Sequence, residues 1–327
     1  MPDIYFNPLY GKMCELVDKG ICCRFNINNA YGQVVNQFIK RPVPFLIDGV
    51  QYYDIVTPYG YGGPIIVLAN DREKLVGEYE KEFARYCAEN NIICEFIRYH
   101  PIKKNYEDFN SVYQNSFSRH TVGTNLKDYD DPVQSEFTKS ARREVRKGEK
   151  AGVKCTVNAN PTDLSLFRAL YEETMDRNGA EEMYYFPDAY YQLLTNELRD
   201  SVLEIQATLD NEVIASEIYF ISDSIMHAHL LGSSNRLLEI GGGAILEATA
   251  ARWGRENGYQ YIHHGGGRTS SEDDPLYLYK KKFGRNTEFD FYTGKRIWNQ
   301  PVFDRAVEIR KALGEIDNPN YFPIYRG

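Results

Sequence analysis

The stretch from residue 203 to residue 264 limits the possible folds more than any other. LEIQATL, VIASEIYFI and IMHAHLL are apolar and rich in β-branched residues, and tight turns at Asp210-Asn211 and Ser222–Ser224 separate them. They read as a three-strand meander. Gly241-Gly242-Gly243 follows, and then a helix with Ile245, Leu246, Thr249 and Trp253 on one face. Gly258 falls where a left-handed C-cap residue belongs, and YQYIHH returns as a strand. This order demands an α/β (α+β) class of fold, a mixed and mostly antiparallel sheet flanked by helices.

The same order occurs earlier, without a strong sequence repeat. VPFLIDGVQYYDIV reads as two short strands about Asp48-Gly49, followed by the turn TPYGYGGP and a buried strand over Ile65–Ala69. Asn70 and Glu73 are spaced as a capping box. They open a helix with Leu75, Val76, Tyr79, Phe83, Tyr86 and Cys87 at helical spacing. That helix ends near Asn90, and IICEFIR is the next strand. A chain of 327 residues is long enough for two cores. The expected division is an N-terminal domain over 1–137, a C-terminal domain over 138–300, and a closing helix and tail over 301–327. Helical patterns at Leu164–Met175 and Tyr190–Leu198 open the second domain.

Composition removes some classes of function. The net charge of −8 offers no general attraction to nucleic acid or anionic lipid, so any phosphate must meet a local basic patch. No zinc-finger or helix-turn-helix spacing suggests DNA binding. The six cysteines form no C-x-x-C pair, and Cys87 and Cys94 sit in apolar patterns as core residues. With no signal peptide and no run of 18 apolar residues, the expectation is a cytoplasmic protein without membrane insertion.

Four features can carry chemistry. Gly241, Gly242 and Gly243 open a helix whose free amides suit a phosphate, and Arg236 lies just before them. His227 and His229 share one face of a strand, about 7 Å apart. Met226, Ala228 and Leu230 take the opposite face. The histidines suit a general base or a hydrogen-bonding role. Metal binding with His263 or His264 lacks a convincing carboxylate, so no metal is expected. In HHGGGRTSSEDDPLYLYKKKFG, Arg268, Asp274, Tyr279 and Lys280 follow a glycine-rich turn, and a lysine held there could stabilise an oxyanion. Lys139, Arg142, Arg143, Arg146, Lys147 and Lys150 advance by three or four residues along one helix face. That stripe is either a solvated surface or a contact for the phosphates of a nucleotide, coenzyme or tRNA.

GGGRTSSEDDPLYLYKKKFG followed by YTGKRIWN resembles the C-terminal signature of the Fem-like (FemAB-related) GNAT-fold N-acyltransferases. TPYGYGGP, SARREVRKGEKAGV, LYEETMDRNGA and MHAHLLGSS resemble the same group. The resemblance implies two tandem GNAT-like domains and transfer of an acyl or aminoacyl group to an amine. Acceptors in the wider group include peptidoglycan precursors, and some relatives occur in surface-polysaccharide pathways. Lys280 matches the signature lysine that assists transfer, Tyr279 the aromatic before it, and Asp274 the acidic residue before the Leu-aromatic pair. GNAT enzymes hold the coenzyme A pyrophosphate at a glycine turn like Gly241–Gly243. The long helical arm of Fem proteins that load glycine onto the wall is absent from this pattern.

The resulting expectation is transfer from acyl-CoA (acetyl-CoA) to a small-molecule or nucleotide-linked amine. His229 is the first candidate base, and Lys280 and Tyr279 complete the catalytic set. His227, Arg268, Asp274, Tyr59, Tyr61, Arg142 and Arg146 are the candidate substrate contacts. The first domain, through TPYGYGGP, is expected to wall the acceptor cleft. Aminoacyl-tRNA is the alternative donor, and a non-catalytic GNAT-fold binding protein is the remaining alternative.

Overall fold

The computed structural model describes residues 3–327. In chain order the elements begin with α1 (Pro8–Asp18), β1 (Ile21–Asn29), β2 (Gly32–Pro42), β3 (Tyr53–Val56), β4 (Ile65–Ala69), α2 (Arg72–Glu89), β5 (Ile92–Arg98) and β6 (Gln114–Asn125). Next come α3 (Pro132–Glu136), α4 (Lys139–Lys150), β7 (Lys154–Ala159), α5 (Ser165–Asn178), α6 (Asp188–Thr195), β8 (Val202–Leu209), β9 (Glu212–Ser222) and β10 (Ile225–Ser233). The last are α7 (Asn235–Ile240), α8 (Ala244–Glu256), β11 (Tyr261–Gly265), α9 (Pro275–Lys281), β12 (Glu288–Ile297) and α10 (Gln300–Leu313).

The chain forms two compact units. One comprises Tyr5–Ser118 and Asp290–Gly327, and the other comprises Arg119–Phe289 with Asp3 and Ile4. The closing helix α10 therefore folds with the N-terminal unit. Each unit holds a mixed, mostly antiparallel sheet with helices against it, the tandem GNAT-like arrangement.

In the N-terminal unit the strand order is β1-β2-β3-β5-β12, with β4 paired to β2. Only β3 and β5 run parallel, and α2 supplies the link between β4 and β5. The apolar face of α2, including Leu75, Tyr79, Phe83 and Cys87, is buried against Phe38, Ile55, Ile92 and Ile97. Three local readings change. Residues 21–42 form a long hairpin that their mixed polarity conceals. Residues 43–50 make only an Ile47–Val50 bridge rather than a strand pair. The α2 cap is Asp71, whose side chain accepts from the Lys74 amide, while Asn70 donates to the Ala30 carbonyl.

The C-terminal unit has the order β6-β11-β10-β9-β8-β7, and only β10 and β11 run parallel. Helix α8 is buried nearly all round, which fits its Ala-rich sequence. It packs with α4 and with Tyr219, Met226 and Phe283 on one side of the sheet. Helix α5 crosses β10 so closely that a Cβ on Gly232 would lie 2.5 Å from the Tyr171 amide nitrogen. Gly258, in the left-handed region at φ 79°, follows the C-cap of α8 as its spacing requires. No helix among the described residues is long and apolar enough to cross a membrane.

Candidate active site

Helix α9 is short, and its start is fixed by one residue. Asp274 accepts from the amides of Leu276 and Tyr277, each at 3.0 Å, and from the amide and hydroxyl of Thr269 at 2.8 and 3.0 Å. These donors, the Thr269 amide foremost, hold its carboxyl well below the usual range. The structure thus places Asp274 as the N-cap of the helix carrying Lys280. Lys280 is half-buried, and its ammonium donates to the Gly266 carbonyl at 2.8 Å. The Gly265–Gly267 turn therefore gives this lysine its anchor. Tyr279 stays 37% exposed and meets Phe283 edge-on at 5.3 Å.

Beneath Lys280 lies a group of buried polar side chains that the sequence reading did not assemble. Glu247, in the first turn of α8, accepts from the Tyr219 hydroxyl at 3.1 Å. Glu217, two residues before Tyr219 on β9, lies on the same face. His264 on β11 stands with Nδ1 3.6 Å from a Glu247 oxygen. Glu217, Glu247 and His264 are all more than nine-tenths buried.

Burial dominates their ionisation. It raises Glu217 well above the usual range, with the charge on Glu247 adding to the effect. It raises Glu247 to about 7, opposed by the Tyr219 hydrogen bond and by Lys280. His264 falls to about 3 through burial and then the nearby Lys280 charge. Lys280 itself falls to about 8 because burial outweighs the attraction of Glu247 and Asp274. Burial thus favours the protonated form of both carboxyls and the neutral form of His264, and it weakens the hold of Lys280 on its proton.

The histidine strand departs from its expected alternation. A β-bulge between Ala228 and Leu230 shifts the register, so that Leu231, not Leu230, stands opposite Glu217. Leu231 joins the core beside α8 in place of Leu230. His229 stays on the His227 face as its spacing predicts, away from the α8 core, against Phe220 at 4.3 Å, and its Nε2 bonds the Tyr190 hydroxyl. Burial lowers it to about 3, with His227 adding to the effect. Glu217 and Tyr219 alternate with Phe220 along β9, so His229 and the Glu247–Lys280 group lie on opposite faces. The expected partnership of His229 with Lys280 is not formed. His227 is buried and bonds Asp3 at 3.0 Å.

The triple glycine has two structural reasons and one free position. Gly241 ends α7 in the left-handed region at φ 63°. Gly242 lies where α4 crosses α8, and a Cβ there would come within 3.1 Å of the Gly148 Cα. Gly243 meets neither demand, and α8 begins without a side-chain cap. Its open amide end, one turn from Glu247, suits an anion. Lys147 brings one cation of the basic stripe toward this turn, with Nζ 3.6 Å from where a Gly241 Cβ would stand.

The remaining candidates are scattered. Arg142 is half-buried and donates to the carbonyls of Gln134 and Phe137, so it leaves the basic stripe, whereas Arg146 is exposed. Arg236 pairs with Glu212 and Asp210, and Arg268 is exposed. In the N-terminal unit Tyr59 is exposed, while Tyr61 packs edge-on against Tyr5 and Phe291 at 5.4 and 5.2 Å.

Glu217 and Glu247 were visible as carboxylates inside the apolar runs IASEIYF and AILEATAA. Such residues need a partner or a proton when buried, and that was the available signal.

Residues 135–281 match the family model of the acetyltransferase (GNAT) domain. The span ends one residue past Lys280 and contains the whole Glu217–Glu247–His264 group. No curated protein sequence matches the chain. Among solved structures, FemX superposes with a TM-score of 0.69 at 14% identity, over 92% of this chain and 94% of that one. The C-terminal domain of a putative lysylphosphatidylglycerol synthetase from Agrobacterium fabrum gives 0.59 at 12% identity, over 93% and 96%. L-PGS from Bacillus licheniformis gives 0.55 at 14%, over 89% and 92%.

Proposed function

We propose that this chain, a Fem-like GNAT-fold acyltransferase, transfers an acyl group from acyl-CoA to the amine of a cell-wall or surface-polysaccharide precursor, in the cytoplasm. The observation that carries the reading is Lys280, a half-buried ammonium held on the Gly266 carbonyl, inside the span that matches the acetyltransferase domain. The acceptor amine attacks the thioester carbonyl and the Lys280 ammonium stabilises the oxyanion that forms; collapse of that intermediate breaks the C–S bond and releases coenzyme A, whose thiolate takes up the proton lost by the amine. The uncapped amides at Gly243 and the start of α8, with Lys147 close by, suit the phosphates of the coenzyme. His229 receives no role as base, because its imidazole is a weak proton acceptor on the other face of the sheet. Likeness to FemX and the signature around Lys280 support an acceptor of the cell-wall class.

Aminoacyl-tRNA is the second reading. Its support is the exposed cations Lys139, Arg143, Arg146, Lys147 and Lys150 along α4. Thermal-shift titrations with coenzyme A and with charged tRNA separate the two. Stabilisation by coenzyme A supports the first, and stabilisation by charged tRNA alone reverses the order. Lys280→Ala is expected to lower kcat/KM for acyl transfer at least a hundredfold, typical of losing an oxyanion donor. Full transfer activity in that variant, over a panel of amines, would sink the mechanism.

A further inference from the structure

Helix α4 is strongly cationic in a chain whose net charge is −8. Its two acids are neutralised from outside. Lys282, just after α9, pairs with Glu144 at 3.1 Å, and Arg252 of α8 pairs with Glu149 at 3.4 Å. Lys139, Arg143, Arg146, Lys147 and Lys150 are exposed, and among the described residues none of them has a carboxylate partner. Helical spacing places all five within an arc of about 100°. An ordinary solvated helix looks different. Along α2, Lys74, Lys81 and Arg85 each pair with an acid three residues earlier, Asp71, Glu78 and Glu82.

One edge of the α4 stripe is apolar. Lys282 ties α9 to α4: its carbonyl accepts from the Thr138 amide at 2.9 Å, and its ammonium lies 5.6 Å from the centre of the Tyr279 ring. At about 100° per residue, Leu276, Leu278, Tyr279 and Lys282 share the side of α9 opposite the buried Tyr277. Leu278 is 50% exposed, and Leu276 and Tyr279 are 37% exposed. One turn further along α4, Lys147 approaches Gly241, whose amide donates to the carbonyl of Leu238. The Leu238 side chain is also exposed. The exposed acids beside these leucines, Glu239, Glu272 and Asp273, are fewer than the five cations.

Uncompensated cations beside protruding leucines match an anionic lipid surface. Headgroup phosphates attract the cations, and the apolar tips enter the boundary with the acyl chains. The phosphates of a nucleic acid would use the cations and leave the leucines in water. We propose that α4, α7 and α9 form a docking surface by which this protein adsorbs to an anionic phospholipid membrane without crossing it. Because α9 also carries Lys280, adsorption brings the candidate site to the headgroup layer. The docking itself does not depend on the acyltransferase reading.

The test is cosedimentation of the full-length chain with vesicles of phosphatidylcholine alone, and with vesicles of equal parts phosphatidylcholine and phosphatidylglycerol, at low ionic strength. Binding to the mixed vesicles is expected to be at least tenfold tighter. Lys139→Gln with Arg143→Gln should weaken it about twenty-fivefold, at about fivefold per cation. Leu238→Ser with Leu278→Ser should weaken it at least tenfold, since each buried methylene is worth about fourfold. All four side chains are exposed, and circular dichroism checks that both variants fold. No binding, or equal binding to the two kinds of vesicle, overturns the proposal. Sensitivity to the cations alone, with the leucine variant unmoved, also overturns it, as does binding of charged tRNA in preference to the mixed vesicles. The assay needs neither coenzyme A nor an amine acceptor. Its failure therefore leaves the acyltransferase reading untouched, and an absence of acyl transfer leaves the docking surface standing.

Discussion

Glu95→Gln, in the N-terminal unit, tests how this protein carries a buried carboxyl. Glu95 is 1% exposed. One oxygen accepts from Asn36 at 2.9 Å, and the other accepts from the Tyr113 hydroxyl at 2.9 Å and the Trp298 indole at 3.2 Å. Burial nevertheless outweighs these bonds and raises its pKa from 4.5 to about 7. At about 1.36 kcal/mol per unit, ionising Glu95 in the folded state costs about 3 kcal/mol more than in the unfolded chain. The folded value is the higher one, so the stabilising contribution is complete below pH 4.5 and lost as pH rises through 7. Glutamine removes the titration. Its carbonyl can accept from Tyr113 and Trp298, and its amide can donate to Asn36 Oδ1, which otherwise lacks a partner. The Asn36 amide must turn, and the Tyr79 hydroxyl, which accepts from Asn36 Nδ2 at 2.9 Å, must then donate to Asn36 Oδ1. The chain has two tryptophans, and Trp253 stacks on Tyr259 in the other unit. Trp253→Phe therefore leaves Trp298 as the sole tryptophan, excited selectively above the tyrosine absorption, inside the network under test. Urea unfolding in that background should give Glu95→Gln within about 1 kcal/mol of its parent at pH 5. At pH 8.5 it should be about 2–3 kcal/mol more stable than its parent. Parallel stability curves for the two proteins from pH 5 to pH 9 would refute the reasoning.

The active-site helix and the histidine strand give two further tests. Asp274→Ala removes the acceptor for four donors at the start of α9. It should lower the transfer rate about tenfold, while Asp274→Asn, also a good N-cap, should restore most of it. A wild-type rate in the alanine variant would show that the cap does not position Lys280. His229 titrates near pH 3, far from the working range. His229→Gln should therefore leave the acid limb of the pH–rate profile in place, and loss of that limb would return His229 to the role of base.

The C-terminal unit was legible because its signals are local. Turn residues at Asp210-Asn211 and Ser222–Ser224 delimit strands, and Gly258 marks the end of a helix, each by backbone conformation that few residues adopt. The β1–β2 hairpin gave no such signal. Its Cys, Asn and Gln residues break the alternation, and β1 is partly exposed. The bulge in β10 was invisible for another reason. It depends on register against β9, a non-local property, and it moves Leu230 and Leu231 relative to their neighbours. The charged stripe on α4 failed at one residue only. Arg142 finds carbonyls left unpaired at the preceding turn, which helical spacing cannot foresee.

Glu95 in the N-terminal unit and the Glu217–Glu247 pair in the C-terminal unit are buried carboxyls with contrasting surroundings. In the N-terminal unit both oxygens of Glu95 are met by donors, Tyr79 and Tyr113 extend the network at 2.8 Å, and Asn36 Oδ1 stays without a partner. Its cross-strand neighbour Arg296 is turned to Glu80 and the Val112 carbonyl, and burial favours the protonated form of Glu95. In the C-terminal unit the corresponding economy is incomplete. Glu217 Oε2 and His264 Nδ1 are left without partners, and Lys280, on a short helix of the same unit, is half-buried. Unsatisfied buried groups destabilise a fold and are retained where they do something else. A closed network fixes a core. An open one beside a half-buried cation can respond to a carbonyl that becomes an oxyanion, because its charge is not already spent on the protein's own bonds. Filling the open network should therefore cost transfer activity while raising stability.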